Sequence, residues 1–147
     1  MRETEPIAME RVLSREFVCT GNLATLNPVR DSILDFVRPY CPDEQQEIDI
    51  LLALQEGLAN AILHGCNGDP AKLVHCTVEI SPSAIDFTIR DPGEGFDTEA
   101  VTDVTEDGTN LTQHGRGIHM MRGLMDEVTY RNRGTELHLK KVRRGSG

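Results

Sequence analysis

Between Ile48 and Gly65 the apolar residues Ile48, Leu51, Leu52, Leu54, Leu58, Ile62 and Leu63 recur at three- and four-residue intervals. A strand would alternate every second residue, so this spacing commits the stretch to a helix with an apolar side to bury. Asp43 stands where it can cap the helix, and Gly65, Gly68 and Pro70 stop it near His64. Glu56 and Asn60 lie one turn apart on the same face, with His64 a further turn on. A carboxylate above a carboxamide on an otherwise apolar helix needs partners. A metal ion with phosphate oxygens would satisfy both, and so would a polar edge turned to water.

The rest of the chain supplies a layer for that helix. Partial alternation over Arg11 to Thr20 predicts a strand, broken at Gly21-Asn22. Leu26, Val29, Ile33, Leu34 and Val37 give Leu23 to Val37 a helical period, with Pro28 suited to a first turn and Pro39 and Pro42 ending the element. Val74, Cys76, Val78 and Ile80 alternate along one strand. Ser81-Pro82-Ser83 turns the chain, and Ile85, Phe87 and Ile89 mark the returning strand. Ile118 to Met125 reads as a short helix, with Met120, Met121 and Met125 as core packing. Glu127 to Asn132 and Thr135 to Val142 read as a last hairpin around Arg133-Gly134. Helices in the first half and strands mostly in the second predict an α+β two-layer sandwich, a single domain over 1–147 with its core at about 10–142.

Charge and cysteine content narrow the function. A formal net charge of −9 argues against a nucleic-acid binder held by phosphate contacts. The cations near the C-terminus, Lys140, Lys141, Arg143 and Arg144, read as a solvated tail. Cys19, Cys41, Cys66 and Cys76 show no CxxC spacing, so reduced thiols are expected rather than a zinc module or a disulfide framework. No stretch is long and apolar enough for a membrane span, and no signal peptide opens the chain, so a cytoplasmic protein is the expectation.

Two glycine-bearing segments add chemistry. Asp91-Pro92-Gly93-Glu94-Gly95-Phe96-Asp97 comes directly off a strand. Its glycines allow close backbone approach to a flat ligand, and a carboxylate at the strand end can accept from an exocyclic amine such as that of adenine; a plain turn is the alternative. His114-Gly115-Arg116-Gly117-Ile118 precedes the predicted short helix, where backbone N–H groups can hold phosphate. The Pro92 to Gly117 segment, with five glycines and few apolar residues, is long for a connection and reads as a functional loop or lid.

In this order, the Glu56–Asn60 helix, the two glycine segments and Gly134-Thr135 resemble the GHKL ATPase superfamily, with its N box, two glycine boxes and terminal Gly-Thr. Glu-Gly-Leu-Ala-Asn-Ala-Ile-Leu-His, Asp-Pro-Gly-Glu-Gly-Phe-Asp, Gly-Arg-Gly-Ile and Leu-Met-Asp-Glu-Val are most similar to the bacterial anti-sigma factor serine/threonine kinases of the RsbW and SpoIIAB type. That resemblance implies the Bergerat ATP-binding fold, ATP and Mg²⁺ as cofactors, a sigma factor and a STAS-domain anti-anti-sigma antagonist as partners, and a homodimer. By matching position, Glu56 would be the general base and Asn60 the Mg²⁺ ligand. Asp91 would bind the adenine amine, with Gly93 and Gly95 shaping that side. Gly115, Arg116 and Gly117 would run along the phosphates, Thr135 would support the adenine end, and residues 97–114 would be the lid.

Glu56 also separates branches, since sensor histidine kinases usually carry Asn at that position and act on a more readily deprotonated nucleophile. His119 departs from the family's Gly-Arg-Gly-Leu-Gly-Leu run, either crowding the phosphates or facing solvent. A non-catalytic partner-switching protein, or a GHKL kinase with a non-sigma target, is the alternative reading.

Overall fold

The computed structural model describes residues 12–95 and 113–143, and the side chains of the helix that opens at Gln113 from Gly117 onward. β1 (Leu13–Thr20) leads through a 3₁₀ turn into α1 (Leu26–Val37) and then α2 (Glu44–Asn60). α2 continues into a π-helical turn, Ala61–Gly65. β2 (Leu73–Ile80), β3 (Ala84–Arg90), α3 (Gln113–Leu124), β4 (Glu127–Arg131) and β5 (Glu136–Val142) follow. The α+β sandwich expected from the sequence is what forms. The strands make one antiparallel sheet in the order β1-β2-β3-β5-β4.

The register explains which sheet face is covered. Phe17 pairs with Cys76, Cys76 with Ile89, Ile89 with Leu137 and Leu137 with Tyr130. This row, and the parallel one through Val78, Phe87 and Leu139, meets Ile33, Leu34, Ile50, Leu54, Leu58 and Met121 from the helices. Because side chains alternate across a strand, Glu16, Thr77, Thr88 and His138 line the other face.

Asp43 caps α2 as expected, its carboxylate accepting from the Gln46 N–H at 2.8 Å. The apolar period is less regular in space than in sequence. Ile48, Leu52 and Leu63 are exposed, and Ala53 and Gly57 are buried instead. α3 begins at Gln113, five residues before the expected start, so Gly115, Arg116 and Gly117 sit inside its first turns rather than ahead of it. Met121 and Met125 are core, whereas Met120 is 41% exposed, since only one stripe of a short helix reaches the sheet.

Lys140, Lys141 and Arg143 do not form a solvated tail. Lys141 is buried and pairs with Asp49, and Lys140 faces Glu127 across β4–β5. The Arg143 guanidinium donates to the carbonyls of Tyr40 and Ser81, tying the β2–β3 turn to the connection between α1 and α2. Arg144 lies outside the described residues. Cys19, Cys66 and Cys76 are buried and Cys41 half-buried, all four as free thiols. Burial pushes the Cys19 and Cys41 thiols up to about 11. Among the described residues, no helix is long and apolar enough to cross a membrane.

Candidate functional site

α2 carries the central pair. Asn60 Nδ2 donates to Glu56 Oε2 at 2.9 Å, the contact that residues one helical turn apart make. The bond orients the carboxamide, because an ionised carboxylate only accepts and so draws the NH₂ side toward itself. Asn60 is 8% exposed, yet among the described residues no buried side-chain oxygen lacks a partner. Its Oδ1, which takes no bond from them, therefore opens onto the cleft that Asn60 lines. A hard cation would take that oxygen as a ligand.

α3 crosses directly over the pair. A Cβ on Gly117 would lie 2.2 Å from Glu56 Oε2 and 3.1 Å from Asn60 Nδ2. Only a glycine lets the α3 backbone approach so closely. This glycine, expected from the resemblance to run along the phosphates, is seated on the carboxylate–carboxamide pair.

The π-helical turn that ends α2 brings a second group in. The Cys66 N–H reaches back to the Ala61 carbonyl at 3.1 Å, the wide spacing of a π-turn, a feature frequent at functional sites. That turn sets Gly65 against Asp91, where an added Cβ would stand 2.3 Å from the Asp91 Cγ. Asp91 leaves the end of β3 with its own fixed geometry. Its Oδ1 accepts from the Gly93 N–H at 2.8 Å, and its N–H donates to the Thr135 carbonyl at 2.9 Å. Burial raises the Asp91 pKa above the ordinary carboxylate value, and the Gly93 N–H partly offsets this.

Between these two groups lies a cleft open to solvent. Asn60, Ala61, His64 and Gly65 line it from the end of α2, and Asp91 and Gly95 from the segment that follows β3. Ile89, Leu137 and Tyr130, neighbours in one cross-strand row, give it an apolar side. The combination of an apolar side, one accepting carboxylate and one exposed carboxamide oxygen fits a flat base and a cation-bound polyphosphate.

Of the residues picked from sequence, Glu56, Asn60, Asp91, Gly93, Gly95, Gly117 and Thr135 are brought to this one place. Gly95 stands in the left-handed region at φ +86° against the Arg133 carbonyl. Thr135 takes part through its backbone, its hydroxyl being turned to the Asn132 carbonyl at 2.8 Å. Gly115 and Arg116 lie in the first turn of α3, the Arg116 side chain outside the described residues, as are residues 97–112 of the expected lid. His64 is exposed at the cleft wall, and His119 is exposed on α3. Sequence reasoning missed Tyr130, Ile89 and Leu137, which only strand register aligns, and took Gly65 for a helix stop alone. Burial pushes the Tyr130 phenol up, and the charges of Glu56 and Asp91 push it further, so the ring lies within electrostatic reach of both.

Comparison with known proteins agrees with this geometry. The histidine kinase-like ATPase domain family matches residues 19–141. An anti-sigma F factor from Geobacillus sp. (strain WCH70) is 32% identical over 117 residues, spanning 76% of this chain and 80% of that protein. Another, from Clostridium perfringens (strain SM101 / Type A), is 30% identical over 117 residues, spanning 76% and 84%. Among solved structures, the RsbU and RsbW domains of Rv1364c from Mycobacterium tuberculosis align with a TM-score of 0.56 at 14% identity, over 90% of this chain and 32% of that one, a likeness of fold. With the boxes in order along one sheet-and-helix frame and the family match running through nearly all of it, the chain belongs to the histidine kinase-like (GHKL) ATPase family, in its RsbW/SpoIIAB-type branch.

Proposed function

We propose that this chain is an ATP-dependent protein serine/threonine kinase and anti-sigma factor. It phosphorylates a hydroxyl on a STAS-domain antagonist and sequesters a sigma factor, switching between the two partners as a cytoplasmic homodimer. The observation that carries the reading is the Glu56 carboxylate, held by Asn60 beneath Gly117 beside a cleft that ends at Asp91. A histidine nucleophile would need little help in losing its proton, whereas a hydroxyl gains from a carboxylate base. The anti-sigma F factors at 32% identity support the choice of partners.

Within this reading, Asp91 accepts from the adenine amine while Ile89 and Leu137 border the base on the apolar side. Thr135 and Gly93 hold Asp91 in place through its backbone and its carboxylate. Asn60 offers Oδ1 to Mg²⁺ and keeps Glu56 oriented through Nδ2. Glu56 receives the proton from the attacking serine or threonine oxygen. ATP with Mg²⁺, when bound, supplies the transferred phosphoryl group and the cation that neutralises its charge.

The test is incubation of the purified chain with Mg²⁺, γ-labelled ATP and the STAS-domain protein encoded nearest to it. Label should appear on a serine or threonine of that protein. Glu56→Gln should bind ATP as the parent does and lose about 10²- to 10⁴-fold in transfer, the usual contribution of a general base. Asn60→Ala should lose Mg²⁺-dependent ATP binding as well. Equal transfer by the parent and Glu56→Gln would overturn the base assignment, and ATP binding without any label would favour a non-catalytic switch.

A further inference from the structure

We propose that Lys141 is a positioning residue. With Asp49 it clamps the C-terminal end of α3 to α2, and so sets how Gly117 rests on the Glu56–Asn60 pair. The proposal rests on the kinase reading of that pair.

Lys141 enters from β5 with its side chain 7% exposed, and its Nζ lies 2.9 Å from Oδ2 of Asp49, itself 16% exposed. The same ammonium donates to the carbonyl of Leu124, the last residue of α3. The final carbonyls of a helix have no partner within it and carry the negative end of its dipole, so a cation there satisfies an otherwise open acceptor. One side chain thus joins α2, α3 and β5. The neighbouring stitches hold the same corner: Asp126 N–H donates to the Lys140 carbonyl, and Val142 N–H to Asp126 Oδ2.

The spacing makes this corner relevant to the chemistry. Asp49 and Glu56 are seven residues apart on α2, and Gly117 and Leu124 are seven apart on α3. On both helices that is two turns, about 10.5 Å. The antiparallel pair therefore meets at two polar points, the clamp at one end and the Gly117 contact at the other. Between them, buried Ile50, Ala53 and Leu54 of α2 and Ile118 and Met121 of α3 belong to one core cluster. A packed helix transmits a shift at one end to the other rather than absorbing it.

A stability role and a positional role for the clamp can be told apart. Buried ion pairs can generally be replaced by apolar groups of similar shape at little or no cost to the fold, whereas removing one partner strands the other charge. A pair kept for position and a pair kept for stability therefore differ when both charges are removed together.

The experiment compares the full chain with Lys141→Met and with Lys141→Met/Asp49→Asn. Three quantities are read: the thermal midpoint, amide hydrogen exchange over Gly117–Met121 against β2 and β3, and transfer kinetics with ATP. The single variant should lose thermal stability, since the Asp49 carboxylate loses its charge partner and keeps only the Gln45 amide, which donates to its Oδ1 at 2.9 Å, and the double variant should recover most of it. In the double variant, exchange over Gly117–Met121 should remain about tenfold faster than in the parent and kcat about tenfold lower, with KM for ATP changed less than about threefold. Return of exchange and kcat to parental values together with the melting point would overturn the proposal and leave the pair a stability element. Absence of transfer by the parent itself would overturn the kinase reading instead, and the exchange comparison would still decide the clamp.

Discussion

Replacing Gly117 by alanine separates catalysis from folding. The added Cβ would lie 2.2 Å from Glu56 Oε2 and 2.9 Å from its Cδ. Non-bonded atoms rest at roughly 3.5 Å, so about 1 Å must be found by moving the carboxylate or the helix. Glu56 is the softer of the two, and moving it stretches the bond from Asn60 Nδ2, now 2.9 Å. A 1 Å misplacement of a reacting group costs about 10²-fold in rate, or about 2.7 kcal/mol of barrier at 1.36 kcal/mol per tenfold. The fold suffers less. Overpacking costs about 1–3 kcal/mol, and alanine's better helix propensity returns about 1 kcal/mol. The net is about 0–2 kcal/mol, or at most about 8 °C in melting point for a domain of this size. Gly123→Ala on the same helix is the control, since a Cβ there meets nothing within 4 Å. It should melt slightly higher and transfer phosphate at the parental rate. A Gly117→Ala protein that transfers label within about threefold of the parent would refute the idea that Glu56 is seated against this glycine.

Asp91 binds its proton more readily in the folded chain because burial disfavours its charge. That contribution favours the fold at low pH and is lost as pH rises through the raised value, so the charged group costs stability at neutrality. Asp91→Asn should therefore melt higher near neutral pH, the gain shrinking as pH falls toward the ordinary carboxylate value of about 3.9, while ATP affinity falls. A gain independent of pH in calorimetry would refute the cause. Among the cysteines, Cys41 is half-buried while Cys19, Cys66 and Cys76 are enclosed. Iodoacetamide near pH 8 should modify Cys41 first and the other three only on unfolding, which peptide mapping would check; early labelling of Cys76 would refute the packing of β1 on β2.

Much of the frame was legible because the physics is local. Alternation placed β2 and β3 at Leu73–Ile80 and Ala84–Arg90, and the three- and four-residue period placed α1 and α2. The one-turn spacing of Glu56 and Asn60 needs only a helix to become a hydrogen bond. Where neighbours along the chain do not decide, the reading failed. α3 opens at Gln113 although the glycines Gly115 and Gly117 argue locally against a helix, and Gly117 gains its place only because Glu56 lies beneath it. Lys141 looks like one cation in a basic tail until β5 joins the sheet and finds Asp49 on α2, distant in sequence.

The sequence by itself determined the element types, the site's chemical groups and the family they resemble, because helix and strand periods and residue chemistry are carried within a few neighbouring positions. Only the tertiary structure decided that Gly65 is a cradle for Asp91, that Tyr130 lines the cleft beside Leu137, and that a buried lysine clamps the helix bearing Gly117. Those outcomes depend on strand register and on how closely α2 and α3 approach, and both are set by the packing of side chains far apart in the chain.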